Sequence, residues 1–227
     1  MDQLVSQLRQ ARLLRSLSHS ALENCLIPSG TLRTYPKDAC IIAPQEPVDR
    51  ISILLSGRVH LQHLFADGRY SLSDVLTPGW ALGLDLVCTR TRLAPYHAVA
   101  ADATTVFSFP ASVILRSGIL PEAERLSVLD QLLEILSHQN MRKEYRLAIL
   151  SQNSLRSRIL IYLSMQADRQ NSATITTPFS REELAAFLCV NRSALSHELS
   201  KLQQEGVITF RKSTFTLLHW QPRSEVF

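Results

Sequence analysis

Two helix-start signals lie close together in the C-terminal third of the chain. Ser180 and Glu183 have the spacing of a capping box, in which each side chain bonds the backbone N–H of the other residue. Asn191 is a second N-cap residue. We therefore expect one helix to end near Cys189 and another to run from Arg192 to Glu205, with inward leucines at Leu195, Leu199 and Leu202. Two short helices joined by such a turn form a helix-turn-helix.

Two alternating stretches follow the second helix directly. The segments around Ile208-Thr209-Phe210 and Thr214-Phe215-Thr216 alternate apolar and polar side chains, which is typical of strands with one buried face. Arg211-Lys212-Ser213 lies between them, so the pair is predicted to be a hairpin with a basic tip. A helix-turn-helix followed at once by a basic hairpin is typical of a winged helix and predicts DNA binding.

Candidate DNA contacts follow from the way a recognition helix works. Such a helix enters the major groove with its N-terminal residues at the base edges, so its first turn needs hydrogen-bond donors. Arg192 can make a bidentate contact with guanine. The other predicted contacts are polar residues of the same helix, of the caps and of the hairpin tip: Asn191, Ser193, Ser196, His197, Lys201, Ser180, Arg211 and Lys212.

The positive charge is concentrated in the same region. Residues 138–227 carry 12 basic and 7 acidic side chains, whereas residues 1–137 carry 12 and 13. A positive excess favours a partner with a phosphate backbone. An ordinary solvated surface accounts for the same excess, so charge alone does not decide between these interpretations.

The first half of the chain is predicted to be mostly β-structure. Between about residues 30 and 110, short β-rich runs alternate with turn sequences, among them Asp67-Gly68, which is a strong hairpin signal. Six or more strands at this spacing predict an antiparallel sandwich or small barrel, with a jelly roll favoured. Leucines at helical spacing predict helices before the strands: Leu4, Leu8, Leu13, Leu14, Leu17 and Leu22.

A long helix is predicted from Pro121 to Leu150. One line of its residues steps by three and four in turn, as in a heptad seam: Leu126, Leu129, Leu133, Leu136, Asn140, Lys143 and Leu147. A helix of about 45 Å is too long to be covered by one small β-domain. We therefore expect two copies to pair in parallel along this seam, with Asn140 as the polar residue that fixes the register.

Several classes of protein are not expected. No apolar run approaches the roughly 18–20 residues that cross a bilayer, and the N-terminus lacks the pattern of a signal peptide. The four cysteines are far apart and have no metal-ligand spacing. We therefore expect a cytoplasmic protein without a membrane partner.

With these residues, the chain resembles the cyclic-AMP receptor protein/FNR (CRP/FNR) family of bacterial transcription regulators. The resemblance covers nearly the whole chain and rests on Tyr35-Pro36-Lys37, Gln45-Glu46-Pro47, Leu54-Leu55-Ser56-Gly57-Arg58-Val59, Pro78-Gly79, Ser180-Arg181-Glu182-Glu183-Leu184-Ala185 and Asn191-Arg192-Ser193. It implies an α+β fold with an N-terminal antiparallel β-roll (a jelly roll like a cyclic-nucleotide-binding domain), a long dimerisation helix and a C-terminal winged helix-turn-helix. The expected domains are 1–118, 119–150 and 151–227.

The resemblance also implies partners and base contacts. A homodimer would bind double-stranded DNA at a palindromic operator and work with RNA polymerase. Arg192, Ser193 and His197 fall where family members read bases, but Ser193 and His197 replace the Glu and Arg of members that read TGTGA-type half-sites. That half-site is therefore not expected. Cys189 stands where a Gly is common, and we expect the turn to form with slight strain.

The sensor departs further from the family. Cyclic-nucleotide-binding members carry Gly-Glu-Leu and an Arg-Ser or Arg-Thr pair, but the matching positions here are Gly83, Leu84, Asp85, Ala94 and Pro95. A buried phosphate without its Arg would be an uncompensated charge, so cyclic AMP and cyclic GMP are not expected. If these five residues line a pocket, they suit an uncharged or apolar small molecule, or the chain has no effector at all.

The resemblance raises two cofactors, neither of which the residues require. An iron–sulfur cluster needs an N-terminal cysteine cluster, and Cys25 stands alone there. Haem is a further alternative, because some members bind it. The conceivable axial ligands are His60, His63, His97 and Cys88, although no spacing among them requires haem.

Two other kinds of function compete with DNA binding. An enzyme of the metal-dependent cupin type needs an H-x-H pair, but His60 and His63 are three residues apart and point to opposite faces of a strand. A cyclic-nucleotide sensor subunit that regulates a partner protein would need the missing Arg, and it would not explain the winged helix. We therefore expect no enzymatic activity.

Overall fold

The computed structural model describes residues 2–221. The chain divides into two compact units, one of Met1–Leu64 with Ser73–Met141 and one of Phe65–Leu72 with Arg142–Phe227. The last six residues of the predicted domain 151–227 lie outside the described residues. In residues 2–221, no helix is both long and apolar enough to cross a membrane.

Short helical segments begin the first unit. Helix α1 (Asp2–Gln10) and helix α2 (His19–Ala21) are followed by a π-helical turn (Leu22–Leu26) and a 3₁₀ turn (Ile27–Ser29). Of the leucines predicted to be helical, Leu4 and Leu8 lie in α1 and Leu22 in the π-helical turn. Leu13, Leu14 and Leu17 lie instead in the turns between α1 and α2, and they are buried like Leu8 and Leu22. The Ser18 hydroxyl caps α2 by accepting from the Ala21 amide at 3.1 Å, as its polar side chain predicts.

Eight strands form the predicted antiparallel roll as two four-stranded sheets. The sheet orders are β1-β8-β3-β6 and β2-β7-β4-β5. Between β4 and β5 lies the Asp67-Gly68 turn, with Gly68 at φ 80°. The strands are β1 (Thr31–Tyr35), β2 (Cys40–Ile42), β3 (Arg50–Ser56), β4 (Val59–Leu64), β5 (Tyr70–Leu76), β6 (Ala81–Leu82), β7 (His97–Ala100) and β8 (Thr104–Pro110). Two short helices, α3 (Leu84–Val87) and α4 (Ser112–Leu115), complete this region.

The long helix forms as predicted and has two different faces. Helix α5 spans Glu122–Leu150. Val128 and Leu132 are buried in the core of the first unit. Along the predicted seam, Leu129 and Leu136 are partly buried against that core, but three leucines are more than half exposed: Leu126 at 52%, Leu133 at 63% and Leu147 at 62%. Asn140 is also exposed.

The second unit is a winged helix. Helices α6 (Leu155–Gln170), α7 (Arg181–Phe187) and α8 (Arg192–Gln204) pack with strands β9 (Thr174–Thr176), β10 (Ile208–Arg211) and β11 (Thr214–Leu217). The antiparallel sheet has the order β10-β11-β9. Strand β9, which has three residues and pairs with β11, was not predicted from the sequence. The ring of Phe187 packs against those of Tyr162 and Phe179, with centroids 5.5 and 4.9 Å away.

Gly30 leaves no room for a side chain against the roll. A Cβ atom at this position would lie 1.9 Å from the ring carbon Cζ of Phe107, a buried residue. Gly30→Ala should therefore lower the free energy of unfolding by about 3 kcal/mol through overpacking. Chemical denaturation measures this loss. In the double variant with Phe107→Leu, the loss should be smaller than the sum of the two single losses, because the smaller side chain makes room. Additive losses would show that crowding against Phe107 is not the cause.

Candidate nucleic-acid interface

The first helix of the motif starts at the predicted capping box. The Ser180 hydroxyl accepts from the Glu183 amide at 3.2 Å, and the Glu183 carboxylate accepts from the Ser180 amide at 2.6 Å. Two backbone donors at the start of α7 are thereby satisfied. Ser180 is exposed and Glu183 is buried. The serine hydroxyl still has its own hydrogen to donate to a phosphate oxygen.

The turn between α7 and α8 is a Schellman motif. The Val190 amide donates to the Ala185 carbonyl at 3.0 Å, and the Cys189 amide donates to the Ala186 carbonyl at 3.2 Å. Cys189 has φ 58°, so the expected left-handed turn forms with cysteine in place of glycine. Arg158 also supports the turn, because its Nη1 donates to the Leu188 carbonyl at 3.3 Å.

The second helix begins at the predicted cap. The Asn191 side-chain oxygen accepts from the Ala194 amide at 2.7 Å and from the Ser193 hydroxyl at 2.8 Å. Leu195, Leu199 and Leu202 are fully buried. The opposite face is exposed and carries the predicted contact residues Arg192, Ser193, Ser196, His197 and Lys201. Because the Ser193 hydrogen is donated to Asn191, the oxygen of Ser193 presents lone pairs outward.

The predicted basic hairpin forms next to this helix. Strands β10 and β11 pair Phe210 with Phe215 and Arg211 with Thr214. Lys212 and Ser213 make the turn, and Lys212 has φ 54°. The side chains of Arg211 and Lys212 are exposed. The hairpin therefore presents two cations at its tip.

Arg181 is a residue of this region that was not predicted as a contact from the sequence. It is the first residue of α7, and its guanidinium carbon lies 4.8 Å from the ring centroid of Phe210 and 5.3 Å from that of Phe215. Its Nη2 donates to the Lys212 carbonyl at 3.2 Å. The contact joins residues that are about thirty positions apart, so no local pattern indicates it.

The residues of the predicted effector pocket lie in different surroundings. Gly83 has φ 83° and precedes α3, Leu84 is buried in the core next to the N-terminal helices, and Ala94 is buried in a second cluster. Pro95 is exposed. Asp85 accepts a hydrogen bond from the Tyr96 hydroxyl at 3.0 Å.

Tyr96 adds a polar group that no sequence pattern indicated. Burial and the neighbouring Asp85 carboxylate raise the pKa of Tyr96, so its hydroxyl stays protonated and donates. The ring of Tyr96 is only 8% exposed and belongs to the same apolar cluster as Ala94. The hydroxyl of the buried Tyr96 is therefore bonded to the half-buried carboxylate of Asp85.

Among the described residues, the conceivable haem ligands His60, His63, His97 and Cys88 form no group of three. His60 and His97 lie on the neighbouring strands β4 and β7, where the paired residues are His60 with Val99 and Gln62 with His97. His63 and Cys88 are exposed. In the described part of the chain, one group of three side chains could hold a metal ion, namely Asp2, His19 and Glu23, and it contains none of the conceivable haem ligands. The four cysteines are free thiols.

Comparisons with known proteins identify both units. Residues 32–117 match the family model of the cyclic nucleotide-binding domain. Residues 157–221, which contain α7, α8 and the hairpin, match the model of the Crp-like helix-turn-helix domain. The chain belongs to the CRP/FNR family of transcription regulators. Its helix-turn-helix is thus a DNA-binding domain.

Relatives of this CRP/FNR regulator include proteins with different names and effectors. It is 22% identical to the global nitrogen regulator of Synechococcus elongatus, over 86% of this chain and 89% of that protein. It is 25% identical to the CRP-like cAMP-activated global transcriptional regulator of Mycobacterium tuberculosis, over 77% of this chain and 78% of that protein. The solved structure of the c-di-GMP-responsive regulator CLP of Xanthomonas campestris shares the fold, with a TM-score of 0.66 at 17% identity over 86% and 96% of the two chains.

The left-handed conformation of Cys189 should lower the stability of the protein. A residue with a side chain is destabilised by about 1–2 kcal/mol in this conformation. A Cys189→Gly variant removes this strain, but glycine has more conformational freedom in the unfolded chain, which offsets part of the gain. We expect this variant to raise the free energy of unfolding by about 0.5–1 kcal/mol, measured by chemical denaturation. Cys189→Ala is the matched control, since it keeps the Cβ atom and should gain nothing. An equal gain from alanine would locate the cost in the thiol instead.

Proposed function

We propose that this CRP/FNR regulator acts as a parallel homodimer that binds a palindromic operator with its two copies of α8. The observation that carries the proposal is the row of exposed leucines on α5: Leu126, Leu133 and Leu147. Large exposed apolar side chains that share one face of a helix mark an interaction surface. The same row of leucines on α5 of a second copy can pack against it.

The spacing of that row favours a coiled coil. Leu126, Leu133 and Leu147 are separated by multiples of seven residues, and Asn140 occupies the remaining position of the same series. A single polar residue in an apolar seam sets the register of two helices at a cost in stability. The other line of the heptad, Leu129, Leu136 and Lys143, would flank it.

The proposed operator follows from the symmetry of the dimer. A two-fold dimer binds two half-sites related by the same axis, with their centres about 34 Å apart, one turn of DNA. At each half-site, Arg192, Ser193, Ser196 and His197 would face base edges, whereas Asn191, Ser180, Lys201, Arg211 and Lys212 would face the backbone. Ser193 and His197 are the residues that we expect to make the half-site differ from TGTGA.

We also infer that the sensor does not bind cyclic AMP. Ala94 and Pro95 offer no charge to a phosphate, and Leu84 is buried in the core. Asp85 would repel a phosphate and already accepts from Tyr96. If a pocket forms among Gly83, Leu84, Asp85, Ala94 and Pro95, it would suit an uncharged or apolar small-molecule effector better than a cyclic nucleotide, and otherwise the chain has no effector. Such an effector would act by changing the separation of the two recognition helices.

The remaining proposed properties follow from this role. A bacterial regulator that binds operators works in the cytoplasm, and RNA polymerase is the expected protein partner at the promoter. We expect no enzymatic activity.

Selection of bound sequences from a pool of random DNA tests the proposal, since an enriched palindrome is expected. The absence of any enriched sequence at moderate salt would contradict it.

The dimer seam gives a prediction about association. Leu133→Gln should weaken dimerisation about 100-fold, because each dimer has two fewer buried leucines. Sedimentation equilibrium measures the dissociation constant. His138→Gln is the control, since it changes an exposed residue of the same helix outside the seam and should leave the constant unchanged.

Asn140→Leu should keep the dimer and tighten it, and a monomer from that change would contradict the seam.

The two kinds of DNA contact differ in their response to sequence and salt. Arg192→Ala should cost about 1–3 kcal/mol on the selected operator and relax the base preference at one position of each half-site. Lys212→Ala should weaken binding to all sequences and make the slope of log K against log salt less steep by about 0.9 for each phosphate that the lysine neutralises. Fluorescence anisotropy titrations over a range of salt concentrations measure both. An equal decrease in affinity on every sequence for Arg192→Ala would reassign that residue to the DNA backbone.

A further inference from the structure

The side chain of Arg181 connects the start of α7 to the tip of the hairpin by two kinds of contact. Its guanidinium lies over the rings of Phe210 on β10 and Phe215 on β11, whose centroids are 5.9 Å apart. A cation at this distance from a ring is attracted to the negative face of the ring. The hydrogen bond from Nη2 to the Lys212 carbonyl adds a directional link to the turn.

The guanidinium is partly withdrawn from solvent. Burial lowers the pKa of Arg181, and the neighbouring positive charge of Arg192 lowers it further. Its Nη1 atom is buried and has no hydrogen-bond partner within residues 2–221. A buried Nη1 is poorly placed to donate to a phosphate oxygen of DNA, whereas it is well placed to donate to the face of an aromatic ring. The geometry therefore favours a role inside the protein over a direct DNA contact.

The turn that Arg181 contacts is one that needs support. Lys212 adopts φ 54°, a left-handed conformation that is strained for a residue with a side chain. The Lys212 carbonyl is the group that accepts from Arg181. A bond to this carbonyl helps to hold the turn in its strained conformation and so fixes the direction of the exposed cations Arg211 and Lys212.

We propose that Arg181 is a positioning residue for the wing, the hairpin of β10 and β11. Through its stack on Phe210 and Phe215 and its bond to the Lys212 carbonyl, Arg181 holds the basic tip of the wing in a fixed place relative to α8. The wing can then reach the DNA backbone at the moment when α8 is in the major groove. This proposal rests on the proposed contact of Arg211 and Lys212 with phosphate. The rival role, a direct bond from Arg181 to a phosphate, is an outcome of the test.

The free protein provides the first test, independent of DNA. Hydrogen exchange of the amides of residues 208–217, followed by mass spectrometry, reports the opening of the wing. Arg181→Gln and Phe210→Leu should each speed this exchange about tenfold, since they remove the two sides of the same contact. Arg169→Gln, which removes an exposed charge of the same unit, should leave it unchanged. Exchange at the parent rate in both Arg181→Gln and Phe210→Leu would overturn the proposal.

A double-variant cycle on the selected operator provides the second test. Arg181→Gln should weaken binding about tenfold in the parent protein. It should have no further effect in a background that carries Arg211→Ala and Lys212→Ala, because the tip then has no cation for Arg181 to position. A direct phosphate contact predicts the same decrease in both backgrounds and a salt slope less steep by about 0.9 in each. That result would overturn the proposal.

The cycle also separates failure of the proposal from failure of the wing contact itself. If Arg211→Ala with Lys212→Ala leaves the affinity and the salt slope of the parent, the proposed contact of the wing with phosphate is wrong. The positioning role in DNA binding then falls with it, whatever the exchange rates show. If this pair weakens binding and Arg181→Gln weakens it equally in both backgrounds, the wing contact stands and only the role of Arg181 is wrong.

Discussion

Four residues between α7 and α8 close one helix and open the next. The end of α7 has carbonyls without partners inside the helix, and the start of α8 has amides in the same condition. The amides of Cys189 and Val190 bond the carbonyls of Ala186 and Ala185, and the side chain of Asn191 accepts from the amide of Ala194. Since both ends are satisfied within one short turn, the direction of α8 relative to α7 is fixed. The exposed face that carries Arg192 is fixed with it.

The other contacts of the winged helix act on the same two helices. The capping box of Ser180 and Glu183 holds the far end of α7, and Arg158 holds the end near the turn. Arg156 joins α6 to the C-terminal end of α8 through Glu205, at 2.5 Å. Polar groups thus orient the helices, while Leu195, Leu199 and Leu202 provide the apolar burial that stabilises their packing.

Features that depend on neighbours along the chain could be predicted from the sequence. The capping box, the Asn191 cap, the basic hairpin and the helix Glu122–Leu150 all depend on residues a few positions apart. Even the left-handed turn at Cys189 could be predicted once the surrounding motif was identified. The strand Thr174–Thr176 was missed because three residues carry too little pattern. Arg181 and the bond between Tyr96 and Asp85 were missed because their partners are brought together only by tertiary folding. The roles of the predicted site residues stay predictions.

Asn140 has a consequence for the choice of partner. In the proposed dimer, the asparagines of the two copies meet at the same level and can bond to each other. A related regulator with leucine at that position would leave the amide of Asn140 buried against an apolar side chain, at a penalty of about 1–3 kcal/mol. A cell with several regulators of this family must keep their helices from exchanging. One polar residue in the row of Leu126, Leu133 and Leu147 would then let the chain select its own copies.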